Sequence, residues 1–305
     1  MDKAILLMGA TATGKTDLAV ELVQRFPLEI ISVDSALIYR EMDIGTAKPS
    51  ADVLKRAPHF LIDILDPAES WSVWDFIQQA RGLISEINQR GNIALLVGGT
   101  MMYFNALEHG LNELPMADEG LRRTLNRRLD DEGLPALYQE LAGIDAETAA
   151  RVKPTDPQRI LRALEVYQLS GQPMSKLLKQ QSSVPAMDFT RIILNVADRQ
   201  PLHRRIEQRF QRMLEQGFEQ EVQRLRQRGD LNLEMPSMRC VGYRQMWMYL
   251  DATLGRQDMI DKAVAATRQL AKRQLTWLRK YDNTLRVDYQ SPDYDGIYQL
   301  LNKAI

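Results

Sequence analysis

The chain contains 305 residues, 45% of them hydrophobic, and carries a formal net charge of −1. This length supports a sizeable core in one large domain or in one domain with an inserted second, and the near-neutral charge argues against a uniformly basic nucleic-acid binder. No apolar run approaches the roughly 18 residues of a membrane span, and the sequence shows no export leader, so we expect a cytoplasmic protein with no membrane partner. Cys240 is the only cysteine, which excludes an internal disulfide and a multi-cysteine metal site.

The first hundred residues alternate short apolar runs with stretches of helical periodicity. Buried strands that are separated by helices need crossover connections, and these connections build a parallel sheet with helices on both faces. Ligands of such sheets bind at the carboxyl ends of the strands. The predicted strands are Ile5–Met8, Ile30–Val33, Leu61–Leu65 and Ile93–Val97, and the predicted helices are Asp17–Arg25 and Trp74–Arg90.

A glycine-rich run connects the first predicted strand to the first predicted helix. Its spacing, G-x-x-x-x-G-K-[ST], between a strand and a helix is that of a phosphate-binding P-loop. Backbone N–H groups at a helix N-terminus bind anions, Lys15 adds a positive charge, and the Thr16 hydroxyl is placed to ligate Mg²⁺. We therefore predict an α/β fold, a P-loop NTPase-like parallel sheet flanked by helices, that binds a diphosphate or triphosphate. The run is Gly9-Ala10-Thr11-Ala12-Thr13-Gly14-Lys15-Thr16.

Polar residues follow the second and fourth predicted strands, on the same rim of the sheet as the P-loop. Asp34 follows Val33, and Thr100 follows two glycines that permit close approach of a ligand. A carboxylate beside phosphate is repelled unless it holds Mg²⁺, orients a substrate or accepts a proton, and its simpler role is a turn or helix cap. The fourth strand ends in Gly98-Gly99-Thr100 instead of the aspartate of the usual second nucleotide motif, which weakens the interpretation as an ATPase.

Strand-like runs disappear between about 117 and 188, which we interpret as a helical domain inserted between core segments 1–116 and 189–305. Asp156 and Pro157 predict a capped helix start, and Gly171 predicts the end of that helix. Its first turn carries donors for phosphates or base edges, unless it is an ordinary helix surface. The donors lie in Gln158-Arg159-Ile160-Leu161-Arg162, and the predicted helices are Leu121–Asp131, Leu134–Leu141, Ala146–Val152 and Pro157–Ser170.

A strand at Arg191–Val196 returns the chain to the sheet, and the remainder is predicted to be helical. Residues 199–280 contain 17 Lys and Arg against 9 Asp and Glu, which is typical of a face that meets phosphates and equally of a solvated helical surface. Arg205 and Arg209, one helical turn apart, could clamp a leaving phosphate, and an ordinary polar helix is the alternative. The predicted helices are Leu202–Gln216, Glu219–Arg228, Gly242–Leu250 and Met259–Lys280, the last with an apolar seam of Val264, Ala271, Leu275 and Leu278.

A further loop mixes two cations with an aromatic residue and a glycine. It reads Arg239-Cys240-Val241-Gly242-Tyr243-Arg244. Such a loop could stack on or grip an unpaired base, and a purely structural loop is the alternative.

Besides the P-loop, five further strings follow one another along the chain. They are Ile31–Tyr39, Asp43–Pro49, Leu96–Tyr103, Asp156–Arg159 and Arg239–Trp247. In this order they resemble the bacterial tRNA dimethylallyltransferase family, from residue 4 to about residue 281. Residues 10–13 differ from those of many members, but the backbone binds the phosphates there, so we expect little effect.

The resemblance implies that the protein moves a dimethylallyl group from its diphosphate to N6 of adenosine 37 in tRNA. The bound phosphates then belong to an isoprenoid instead of ATP, with Mg²⁺ on Thr16 as cofactor. Under this hypothesis Lys15, the loop amides and Arg209 stabilise the leaving diphosphate, Asp34 is the candidate base, and Thr100 fixes the angle of attack.

The implied partners are the anticodon stem-loop of tRNA and dimethylallyl diphosphate, with the target base flipped into a channel. The resemblance places Ser35, Ala36 and Leu37 at the entering base, beside Asp34 and Thr100. The inserted domain and the basic helices are expected to grip the tRNA, and we expect a monomer. The candidate tRNA contacts are Gln158 to Arg162, Arg239 to Arg244 and Arg122.

Two other functions stay open at the level of sequence. One is a P-loop kinase of a small metabolite, with Asp34 as base and the helical insertion as a lid. The other is a non-catalytic module that binds tRNA or a nucleotide.

Overall fold

The computed structural model describes residues 2–112, 114–179 and 187–305. The chain divides into two compact units, one of residues 1–108 and 186–305 and one of residues 109–185. The division falls at the end of α4 (Met101–His109), a helix that the sequence analysis missed, and so before the predicted boundary at 117. Within the described parts of the chain, no helix combines the length and apolar character needed to cross a membrane.

The first unit contains a six-stranded parallel sheet in the order β3-β2-β4-β1-β5-β6. The central strand β1 has Leu7 opposite Val97 of β4 and Ile192 of β5, and all three residues are buried. Because both faces of a parallel sheet are covered, its strands are almost continuously apolar. The strands are β1 (Lys3–Gly9), β2 (Leu28–Val33), β3 (His59–Phe60), β4 (Ile93–Gly98), β5 (Asp188–Asn195) and β6 (Leu285–Asp288).

Nine helices of the described residues flank or extend this sheet. In α3, Ser72 and Asp75 form a capping box, and residues spaced three and four apart, from Phe76 to Ile87, are buried. The helices are α1 (Lys15–Arg25), α2 (Ala51–Arg56), α3 (Val73–Gln89), α4 (Met101–His109), α10 (Arg199–Glu215), α11 (Phe218–Gln227), α12 (Tyr243–Leu250), α13 (Arg256–Leu278) and α14 (Tyr294–Ala304).

The third predicted strand, Leu61–Leu65, is wrong. The strand occupies only His59–Phe60, and the apolar run after it turns, because Leu61 and Asp63 adopt φ values of 62° and 56° that no strand accommodates. The prediction that only helices follow β5 is also wrong, since β6 adds a parallel edge strand beside it.

The regular secondary structure in the described residues of the second unit is entirely helical. Its core contains Leu125, Leu137, Leu141, Ile160 and Leu164, contributed by three different helices. As the sequence predicts, the Asp156 side chain caps the helix Pro157–Ser170 by accepting from the Arg159 N–H, and Gly171 ends this helix with a φ of 68°. The helices are α5 (Glu119–Glu132), α6 (Leu134–Ile144), α7 (Ala146–Arg151), α8 (Pro157–Ser170) and α9 (Met174–Leu177).

A buried aspartate links two of these helices. Asp145 accepts hydrogen bonds from the Thr148 N–H at 2.9 Å, from the Thr148 hydroxyl at 2.7 Å and from the Ser175 N–H at 2.8 Å. Burial raises the pKa of this carboxyl, but the hydrogen bonds from Ser175 and Thr148 outweigh it, so the pKa lies below its usual value. The ionised carboxylate therefore stabilises the junction of α7 and α9.

We expect Asp145→Ala to lower the free energy of unfolding by about 1–3 kcal/mol at pH 7, because it leaves buried donors unpaired. The pKa of Asp145 is lower in the folded than in the unfolded state, so the carboxylate stabilises the folded state fully above the unfolded pKa of about 3.9. This stabilisation is lost as the pH falls through the pKa of the folded state. Urea unfolding followed by circular dichroism between pH 7 and pH 3 should show the difference shrinking. The exposed control Asp131→Ala should change stability by less than about 0.5 kcal/mol, and an equal effect of both variants would contradict the assignment.

Candidate active site

The P-loop bends sharply between β1 and α1. Gly14 caps the helix with a φ of 86°, which favours glycine, and a side chain on Gly9 would come within 2.9 Å of the Thr13 hydroxyl. The Thr13 hydroxyl and the Lys15 ammonium both donate to the Ala10 carbonyl, each at 2.8 Å. Two glycines and these internal bonds thus fix a loop from which the first N–H groups of α1 emerge without helical partners.

Three cations surround this loop. Arg209 donates from Nη2 to the Thr11 hydroxyl at 3.0 Å, and the Arg205 guanidinium lies beside Gly14. Burial lowers the pKa of Lys15 to about 8, with Asp34 opposing this shift and Arg209 adding to it. Burial also lowers the pKa of Arg209, again opposed by Asp34. Desolvated cations that repel one another make the loop a strong site for a multiply charged anion.

Asp34 and Thr100 meet beside the P-loop. The Thr100 hydroxyl accepts from the Ser35 N–H at 3.1 Å, and the Oδ1 atom of Asp34 accepts from the Ala36 N–H at 2.9 Å. Asp34 therefore does cap the turn after β2. The same side chain also faces the space next to the P-loop, so a capping role and a chemical role are compatible.

Two adjoining cavities occupy this rim of the sheet. The smaller, of about 220 Å³, is lined by the P-loop from Gly14 to Thr16 and by Arg205 and Arg212. The larger, of about 550 Å³, has mainly apolar walls. Those walls include Met101, Met102, Ile206, Phe210, Val241 and Trp277. Six residues line both cavities, namely Thr11, Asp34, Thr46, Gly99, Arg209 and Gln274. A cationic compartment thus opens into an apolar one, with a carboxylate at the junction.

The smaller cavity offers oxygen ligands for a divalent cation. The Thr16 hydroxyl and the Asp34 carboxylate both line it. Within the described parts of the chain, no group of three or more His, Cys, Asp and Glu residues could hold a metal alone. This donor set fits Mg²⁺ that arrives with phosphate oxygens and water, the usual arrangement for that ion, and does not fit an independent metal centre.

A buried glutamate, which the sequence analysis missed, anchors one wall of the larger cavity. Glu221 on α11 accepts from the N–H groups of Asp43, Ile44 and Gly45 at 3.0, 2.7 and 3.1 Å and from the Tyr243 hydroxyl at 2.5 Å. Its loop partners lie 176 to 178 residues away, so no local pattern marks it.

Tyr243 cannot serve as a base-stacking platform. Its side chain is fully buried, and its ring packs edge-on against Phe218, with centroids 5.1 Å apart. Of the remaining residues in this loop, Arg239 and Arg244 are exposed, while Cys240 and Val241 line the larger cavity. Burial, with a smaller contribution from Asp34, raises the pKa of Cys240 to about 12, so this wall carries a neutral thiol at physiological pH.

The other predicted contacts of the first unit lie at the cavities. Ser35 and Ala36 line the larger cavity and Leu37 lines the smaller one. Gln274 of α13, which the sequence analysis missed, connects the two sides through a buried amide. Its position within the apolar seam of an amphipathic helix is the only signal in the sequence, since a polar residue in such a seam needs partners.

The predicted contacts in the second unit differ in accessibility. Gln158 and Arg159 are exposed in the first turn of α8, and Leu161 is half-buried. Ile160 is fully buried in the core of the unit, so the prediction that it contacts tRNA is wrong for its side chain. Two further predicted contacts share one buried partner. Arg122 and Arg162 pair with Glu165, at 2.9 and 2.6 Å.

We expect the Lys15 ammonium to titrate near pH 8. NMR titration of ¹³Cε-labelled lysine would measure this value. Asp34→Asn should lower this pKa further, because it removes a stabilising negative charge, and Arg209→Met should raise it, because it removes a repelling positive charge. The exposed substitution Asp52→Asn should leave it unchanged. Titration of Lys15 near the ordinary lysine value of about 10.4 would show that the ammonium is solvated instead of buried.

The chain is similar in sequence and in structure to known proteins. The IPP transferase family matches residues 37–281. A tRNA dimethylallyltransferase of Cupriavidus necator is 53% identical over 95% of this chain and 92% of its own length. The crystal structure of a tRNA isopentenylpyrophosphate transferase from Bacillus halodurans matches with a TM-score of 0.70 at 37% identity, covering 99% of this chain and 95% of that one. A eukaryotic dimethylallyltransferase, solved acting on tRNA, matches with a TM-score of 0.80 at 26% identity over 99% of this chain and 77% of that one. The chain therefore belongs to the IPP transferase family.

Proposed function

We propose that this protein is a tRNA dimethylallyltransferase, which transfers the dimethylallyl group of dimethylallyl diphosphate to N6 of adenosine 37 and releases diphosphate. The observation that carries the proposal is the junction of the cavities, where Asp34 lies between a cationic compartment and an apolar one. The relatives' names support this reaction, since they describe dimethylallyl transfer and action on tRNA.

The smaller cavity suits the diphosphate. Lys15, Arg205, Arg209 and the N–H groups at the start of α1 provide positive charge and hydrogen bonds there. Breaking the bond between C1 and the diphosphate oxygen leaves the electron pair on that oxygen, so these groups stabilise charge that develops in the transition state. The burial of Lys15 and Arg209 strengthens this effect, because little water screens the interaction.

The larger cavity suits the adenine and the five-carbon group. The N6 lone pair forms the new bond to C1 as the diphosphate leaves, and the excess proton on nitrogen passes to the Asp34 carboxylate. The hydroxyl of Thr100 holds the Ser35 N–H, so it keeps the turn that carries Asp34 in place. Apolar walls exclude water, which protects the allylic carbon from hydrolysis.

We assign Mg²⁺ to the smaller cavity, held by the Thr16 hydroxyl and the substrate phosphates. When bound, it would supply further positive charge to the departing diphosphate. Asp34 lines the same cavity and limits the excess of positive charge.

The tRNA side of the proposal depends on exposed cations. Arg239 is exposed and lines the larger cavity, Arg244 is exposed in the first turn of α12, and Gln158 and Arg159 are exposed in the helical unit. These side chains would contact phosphates or bases of the anticodon stem-loop, while adenosine 37 is flipped into the larger cavity. The proposal includes a monomer as the active form, and a tRNA substrate implies a cytoplasmic site of action.

Labelled dimethylallyl diphosphate, tRNA and the purified chain provide the direct test. Label should enter tRNA that contains adenosine at position 37 and not tRNA with guanosine there. Turnover of ATP with small-molecule acceptors, and no incorporation of label, would favour the metabolite kinase. Binding of tRNA with neither reaction would favour a non-catalytic module.

We expect Asp34→Asn to lower kcat on the order of 10²-fold or more with little change in tRNA affinity, because asparagine keeps the acceptor for the Ala36 N–H but cannot take a proton. Steady-state kinetics and tRNA binding by filter retention measure the two quantities. Asp52→Asn, at an exposed position of α2, serves as the control. If Asp34→Asn is active and only Asp34→Ala is impaired, Asp34 acts as a cap and not as the base.

We expect Arg244→Ala to weaken tRNA binding and to reduce the slope of log K against log salt by about 0.7–0.9, the value for one lost phosphate contact. The control is Arg90→Ala, which removes an exposed arginine that pairs at 2.8 Å with Glu29, near the amino end of β2 and so on the rim of the sheet opposite the cavities. Binding isotherms between low and moderate salt measure both variants. An unchanged slope for Arg244→Ala would remove this residue from the phosphate contacts.

A further inference from the structure

One buried side chain connects the two cavities and has no part in the reaction scheme above. This residue is Gln274, which is only 8% exposed. Its amide oxygen accepts from the Thr11 N–H at 2.8 Å, and its amide nitrogen donates to the Gly99 carbonyl at 2.9 Å. Thr11 belongs to the P-loop and Gly99 directly precedes Thr100, so a single amide links the phosphate side of the site to the acceptor side.

We propose that Gln274 is a positioning residue for prenyl transfer, which sets the separation between the P-loop and the turn at Gly99. The inference rests on the proposed function. It assigns to Gln274 no contact with either substrate and no proton to move. Its effect reaches the reacting atoms through Thr11 on one side and Thr100 on the other.

The chemistry of the side chain explains the choice of residue. The link needs one donor and one acceptor on the same planar group, which an amide provides. A carboxylate of the same shape could accept from Thr11 but would face the Gly99 carbonyl with a second acceptor. A thioether of similar length could make neither bond well.

Packing makes the link specific. A side chain on Gly99 would clash with the amide nitrogen of Gln274, so the turn and the amide touch directly. From that turn the Thr100 hydroxyl reaches the Ser35 N–H at 3.1 Å, next to Asp34. On the other side, Arg209 donates to the Thr11 hydroxyl at 3.0 Å. A shift of either segment relative to the other would therefore change the distance from the leaving group to the base.

The position of these groups affects the chemical step more than substrate binding. A displacement of about 1 Å at a reacting group can cost on the order of 10²-fold in rate. Lys15, Arg205 and Arg209 still surround the diphosphate when Gln274 is replaced, and the exposed arginines still face tRNA. A loss of the link should thus appear in kcat with little change in either KM.

Single-turnover kinetics of the full chain, with enzyme in excess over labelled tRNA and saturating donor, test this inference. We expect Gln274→Met to lower the rate constant on the order of 10- to 100-fold at an unchanged amplitude, with each steady-state KM within about threefold of the wild-type value. Gln274→Glu should be impaired as well. The exposed substitution Gln269→Met on the same helix is the matched control and should leave the rate constant unchanged.

Each result decides the inference. If Gln274→Met reduces the amplitude but not the rate constant, Gln274 only supports folding. If amplitude and rate constant both stay within about twofold of the wild-type values, the link is dispensable. Either result overturns the proposal. Increased hydrogen exchange at the Thr11 amide in Gln274→Met would confirm that the bond itself was lost. If the wild-type chain transfers no prenyl group, the proposed function fails, whereas an active wild type with a fully active Gln274→Met overturns this inference alone.

Discussion

The organisation of this site depends on the balance of charge around the P-loop. Lys15 and Arg209 are desolvated, Arg209 lowers the pKa of Lys15, and Arg205 and Arg212 lower the pKa of Arg209. Buried like charges destabilise a protein unless opposite charge or hydrogen bonds compensate them. Asp34 provides part of that compensation, and a diphosphate with its metal would provide the rest. The same balance that makes the loop receptive to a multiply charged anion also places a carboxylate where an acceptor amine can use it.

This balance needs a framework that holds segments from distant parts of the sequence. The parallel sheet brings the ends of β1, β2 and β4 to one rim, since parallel strands present their carboxyl ends on the same side. Two buried side chains from the C-terminal helices then fix the loops that leave this rim. Glu221 holds the segment 43–45 through three N–H groups, and Gln274 joins the P-loop to the turn after β4.

The arrangement also explains how a P-loop can serve a reaction other than nucleotide hydrolysis. β4 ends at Gly98 and is followed by Gly99 and Thr100, so the position beside the P-loop offers a small, neutral surface. An aspartate there would hold the metal of a nucleotide. Instead, the only carboxylate that lines both cavities among the described residues is Asp34, which follows β2. The P-loop keeps its affinity for phosphates while the neighbouring space takes an apolar group and a base.

The sequence alone determined the class of fold, the P-loop and the position of Asp34, because each depends on local order: apolar runs make strands, and a fixed spacing of glycines and lysine makes an anion site. It misplaced β3 and overlooked β6, since positive φ values at Leu61 and pairing at a sheet edge leave no periodic signal. Only the tertiary structure decided the accessibility of Ile160 and Tyr243 and the roles of Glu221 and Gln274. Burial and hydrogen bonds across more than 170 residues depend on how the chain packs, and the one local signal, a glutamine within the apolar seam of α13, does not identify its partners.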